Sequence, residues 1–142
     1  MKTYYVIAKM DNNPIVFKVN AENVLDAKDK VNEYCVKRRL TCYALQGFTE
    51  SMLSELPYAI VTIECDDGKS TRLIELSDIY ELKTIIKELR EEHYECTVIA
   101  RVTYLSDIEL ELARLYRLDK GYEIERSVEV AKIVAREYIE IY

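Results

Sequence analysis

Residues 1–50 and 57–104 read as two versions of one structural phrase, strand, tight turn, strand, helix, strand, and no other feature of the chain limits its fold as much. At an offset of 55 residues, Met10, Asp11, Asn12 and Asn13 align with Cys65, Asp66, Asp67 and Gly68, each set following an alternating apolar run. Asn and Asp tolerate left-handed backbone and Gly adopts it freely, so both quartets predict β-hairpins. The entering strands agree as well: Tyr4, Val6, Ala8 and Met10 occupy the positions that Ala59, Val61, Ile63 and Cys65 occupy in the second copy, with a period of two. In the helices Val24, Ala27, Val31 and Tyr34 match Ile79, Leu82, Ile86 and Leu89, and that spacing draws a single apolar stripe.

The closing strands are less alike. In the second copy Cys96, Val98, Ala100 and Val102 alternate with Glu95, Thr97, Arg101 and Thr103, a half-buried strand with Ile99 as its apolar exception. In the first, Cys42, Ala44, Gln46 and Phe48 fall on the face expected to meet the helix, which puts an amide among apolar groups. Ser51 to Leu56 predicts a helical turn before Pro57, and the internal boundary is placed there. The expected fold is therefore α+β: an internally duplicated β-β-α-β repeat forming one mainly antiparallel sheet with two helices on one face. The other face would carry Tyr5, Ile7, Tyr43, Leu45, Tyr58, Ile60 and Ile99, too apolar to be left in water.

The tail supplies a cover. Ser106 and Glu109 form a capping box, and Leu105 with Leu110 the matching staple, so a helix is expected from residue 107 with Ile108, Leu112, Leu115 and Tyr116 as its stripe and Gly121 as its terminator. A second helix, from about residue 125 to the C-terminus, shows a narrow polar line, Glu129, Lys132, Arg136 and Glu140, and is apolar almost everywhere else. This C-terminal helical hairpin either folds back over the open sheet face or pairs with the same hairpin of a second chain. For a homodimer the contact residues would be Val130, Val134, Tyr138, Ile139 and Ile141. The chain reads as one domain, 1–142, made of a first repeat (1–56), a second repeat (57–105) and the hairpin (106–142).

Composition narrows the function classes. Three glycines provide no phosphate-cradling loop, and no apolar run approaches the ~20 residues of a membrane span, so a cytoplasmic protein without membrane contact is expected. The four cysteines, Cys35, Cys42, Cys65 and Cys96, fall where small apolar side chains suit and are read as free thiols. A metal site from His93, Cys96 and Cys42 would lack the usual Cys-x-x-Cys signature, so no metal is expected. His93 is the sole histidine and sits near a helix end, where the dipole favours a cation; with no nucleophile placed beside it by any motif, no catalytic residue and no cofactor are assigned, and the chain is read as a non-enzyme.

Charge is uneven. Residues 1–56 carry eight Lys and Arg against seven acids, residues 57–105 six against ten, and the tail six against nine. That balance disfavours direct nucleic-acid binding, and Lys37, Arg38 and Arg39 are accounted for by the helix dipole. Nothing resembles the RNP1 octamer of an RRM. Twelve tyrosines without tryptophan fit a protein interface. The leading expectation is a small acidic module that binds a protein partner through Glu64, Asp66, Asp67, Glu91, Glu92 and Glu95. By analogy of type, its concrete form would be a phage or mobile-element inhibitor of a host defence nuclease, anti-CRISPR-like, occupying a basic channel. The alternative is a dimer that binds a small ligand or nucleotide, with Arg101, Arg114 and Arg117 gripping an anion.

Overall fold

A computed structural model describes residues 1–65, 68–76, 79–92 and 99–142. The chain divides into two compact units: Met1–Ser54 joined by Ile108–Tyr142, and Glu55–Asp107. In the first, β1 (Lys2–Met10) and β2 (Asn13–Ala21) form a hairpin, α1 (Val24–Lys37) follows, β3 (Tyr43–Thr49) returns beside β1, and α2 (Ser51–Ser54) is the helical turn expected before Pro57. The hairpin turn is Asp11-Asn12, both left-handed with φ of 52° and 63°, a geometry that matches strand twist and that these two residue types tolerate.

Alternation along β1 and β2 gives this sheet two apolar faces. Tyr4, Val6, Ala8, Phe17, Val19 and Ala21 pack on Ala27, Val31 and Cys35 of α1. Asn23 caps that helix, its Oδ1 accepting from the Asp26 backbone N–H at 2.8 Å. The opposite face carries Tyr5, Ile7 and Val16, all buried. It is covered by α4 (Asp107–Lys120) and α5 (Ile124–Arg136), the latter against β2: Gln46 Nε2 donates to Glu111 Oε1 at 2.8 Å, Lys9 Nζ lies 2.8 Å from Asp119 Oδ2, and the ring of Tyr138, just beyond α5, meets that of Tyr5 edge to face at 5.9 Å. The tail thus folds back over the first half of its own chain. Ile108, Leu112, Leu115 and Tyr116 are all buried, and α4 ends where Gly121 turns left-handed, φ 67°.

The second unit repeats the connectivity with β4 (Tyr58–Cys65), β5 (Gly68–Glu75), α3 (Ile79–Glu92) and β6 (Ile99–Leu105). Val61, Ile63 and Ile74 pack against Ile85 and Ile86 of α3 and Ala100 and Val102 of β6. Strand order is β3-β1-β2 in one unit and β5-β4-β6 in the other, so in both the strand after the helix pairs with the first strand. Shared connectivity is a property of these backbones; duplication of one ancestral segment is a proposal about their origin.

Three expectations are corrected. The strands make two sheets, not one: β3-β1-β2-β7 and β5-β4-β6. Of the edges at which a second repeat would extend the first sheet, that of β2 is taken by β7 (Ile139–Ile141), which lies parallel to it. For the same reason the last helix does not reach the C-terminus. It stops at Arg136, and the alternation Ile139, Glu140, Ile141 resumes a strand whose two isoleucines pack on the α1 face of the sheet. Lastly, Ala44 (φ 53°) forms a bulge in β3, and the extra residue reverses the alternation beyond it. Cys42 and Leu45 pack toward α1, while Gln46 and Phe48 pair with Ile7 and Tyr5 on the tail side, where the Gln46 amide finds Glu111.

Candidate functional site

The acidic residues assigned to a partner surface belong to the second unit. Glu64 is half-buried on β4, 3.3 Å from Arg101 Nη2 of β6, so its charge is partly answered within the sheet. Glu91 and Glu92 are exposed in the last turn of α3. Asp66, Asp67 and Glu95 lie outside the described residues, as do His93 and Cys96.

The same helix carries a feature that acid counting missed. Lys83, Lys87 and Arg90 recur at spacings of four and three, all exposed, and with Ile86 and Glu91 border an open depression of about 460 Å³. The helical period of the cations alone would have shown this stripe.

The unit boundary sharpens the charge pattern. Residues 55–107 hold twelve Asp and Glu against six Lys and Arg, while the rest of the chain holds fourteen of each, so the whole formal charge of −6 resides in the second unit.

The three arginines proposed for anion binding are divided between the two units. Arg101 pairs with Glu64 in one unit. Arg114 in the other is engaged by Glu111 through Nε at 3.0 Å and through Nη2, and Arg117 is exposed near the end of α4. Cations gather elsewhere, around a cleft of about 690 Å³ whose lining includes Lys30, Glu33, Tyr34, Lys37, Arg38 and Tyr142. Two of them are already engaged: Lys30 Nζ donates to the Asn20 carbonyl at 2.8 Å, and the Arg38 guanidinium lies 3.6 Å from the Tyr34 ring centroid.

Of the proposed dimer residues, Ile139 and Ile141 are used inside the first unit, and Tyr138 rests on Tyr5 with Lys18 Nζ 5.2 Å from its ring. Val130 and Val134 are half-buried on α5 beside Ile133, which is 57% exposed. Lys132, a member of the narrow polar line, pairs with Glu109 of α4, Nζ to Oε2 at 3.0 Å, with the carboxylate side chain only 7% exposed. Among the described residues no helix is long and apolar enough to cross a membrane, and no cluster of three or more His, Cys, Asp or Glu gathers as metal ligands.

The molecule is of the mixed α+β class, with mostly antiparallel sheets and a C-terminal helical pair. Comparison with protein-family models, with characterised proteins and with solved structures finds no match.

Proposed function

We propose that this protein is a non-enzymatic interaction module that engages a basic surface of a protein partner through its acidic unit, residues 55–107. The supporting observation is the partition of charge: the unit built from residues 1–54 and 108–142 has no net formal charge, and residues 55–107 hold all of the net negative charge. Like charge concentrated on one unit raises the approach rate of a cationic partner and repels nucleic acid. The concrete form is an inhibitor of a defence nuclease that fills a basic channel, the exposed Glu91 and Glu92 standing in for phosphates.

The test is charge reversal. Co-purification of the wild-type chain should retain a protein partner that weakens as salt is raised. A variant carrying Asp66→Lys, Asp67→Lys, Glu91→Lys and Glu92→Lys should lose that partner while keeping its circular dichroism. An unchanged partner in the reversed variant overturns the proposal.

A second reading, capture of a small anionic ligand, is favoured by the cleft at Lys37 and Arg38. It predicts thermal stabilisation by a nucleotide or another organic anion, about 2.7 kcal/mol at a hundred times the dissociation constant. Homodimerisation is a further proposal, resting on Val130, Ile133 and Val134, since Ile139 and Ile141 are committed to β7.

A further inference from the structure

The last turn of α1 and the start of β3 bring two thiols together. Cys35 is buried near the end of the helix, and Cys42, half-buried, lies just before the strand. Their Sγ atoms are 2.6 Å apart. Non-bonded carbon atoms keep about 3.5–4.0 Å, and sulfur is larger. The backbone between them is arranged for this approach. Arg39 turns left-handed (φ 56°), and the Leu40 N–H reaches back to the Cys35 carbonyl at 2.8 Å, which reverses the chain sharply. Closure to a bonded distance of about 2.05 Å needs a movement of roughly half an ångström.

We propose that Cys35 and Cys42 form a reversible disulfide, with a low-molecular-weight disulfide of the glutathione class as the oxidant. Cys42, the more accessible sulfur, attacks as thiolate on one sulfur of the small disulfide, whose S–S bond breaks and releases one thiolate. The product is a mixed disulfide on Cys42. Cys35 then gives up its proton and attacks Cys42 Sγ, expelling the second small thiolate. The protein loses two electrons and two protons, and the small disulfide gains them as two thiols.

The order of attack follows from burial. Desolvation, followed by the Cys42 contact, pushes the Cys35 thiol up to about 12, which makes it a poor first nucleophile and a proximity-driven second one. Lys37, Arg38 and Arg39 lie between the two cysteines and attract an anionic small disulfide. The bond would lock the α1–β3 connection of the neutral unit.

The three cations also make the test simple, because trypsin cuts after each and so separates the two cysteines. The full chain is incubated with oxidised glutathione, quenched in acid, alkylated with N-ethylmaleimide and digested without reductant. The Cys35 peptide should stay joined to the Cys42 peptide and separate on reduction. Cys65 shares the latter peptide, so the linkage should persist in Cys65→Ser and vanish in Cys42→Ser. Oxidation should also raise the melting temperature of the wild type by about 5 °C or more. Alkylation of both cysteines, glutathione retained on either, or a Cys35 linkage lost in Cys65→Ser would each overturn the proposal.

Discussion

Gly47 shows how one hydrogen in place of a side chain sets a distance between elements. A Cβ built on it would lie 2.5 Å from Val24 Cγ1 at the start of α1, so helix and strand approach this closely only because the residue is glycine. Gly47→Ala is expected to destabilise by about 1–3 kcal/mol, and adding Val24→Ala should recover part of that in a double-mutant cycle by urea denaturation. Glu111 sets a pH dependence. Burial alone would raise its carboxyl, but hydrogen bonds from Arg114 and Gln46 outweigh burial and hold it below its ordinary 4.5. A depressed carboxyl stabilises the fold fully above the unfolded value and loses that contribution as pH falls through the lower folded one. Between pH 5 and 2, urea midpoints should fall less steeply for Glu111→Gln than for wild type, and equal slopes would refute the assignment. Gln46 was legible in the sequence as an anomaly, an amide on an apolar face. Its partner was not, because the two are 65 positions apart and only the fold joins them.

Elements were read well where local period and capping agreed. The hairpin at Asp11-Asn12, the stripes of α1 and α4 and the stop at Gly121 all follow from short-range chemistry, and all are present. Reading failed where tertiary contact chose between two local options. Ile139, Glu140 and Ile141 suit a helix face or a strand, and the open edge of β2 selected the strand. The Ala44 bulge reversed the faces of β3 because one inserted residue is invisible to a count by twos. The α1 terminus offers a test at this scale. Arg39 holds a left-handed conformation that costs an L-residue with a Cβ roughly 1–2 kcal/mol, so Arg39→Gly should raise stability by about 0.5–1 kcal/mol after the added flexibility of the unfolded chain is subtracted. A lower denaturation midpoint for this variant would contradict that account of the turn.

At the scale of the whole molecule, the division of labour is electrostatic as well as structural. The sequence pattern led to the α+β class, both ββαβ segments and the helical tail. It did not reveal that the tail closes the first unit and leaves the charge to the second, since that depends on which face α4 and α5 select. If α5 also presents a self-association ridge, Val134→Glu should convert a dimer into monomers with unchanged circular dichroism. A wild-type mass in that variant would place any self-contact elsewhere.

The measurement that bears most directly on the acidic-module proposal is native mass spectrometry of the chain isolated with its own source lysate, at low and at raised salt. The account predicts the chain bound to a cationic protein at low salt and released as salt rises. A chain that carries a nucleotide or other small anion and no protein, with a mass indifferent to salt, would contradict it.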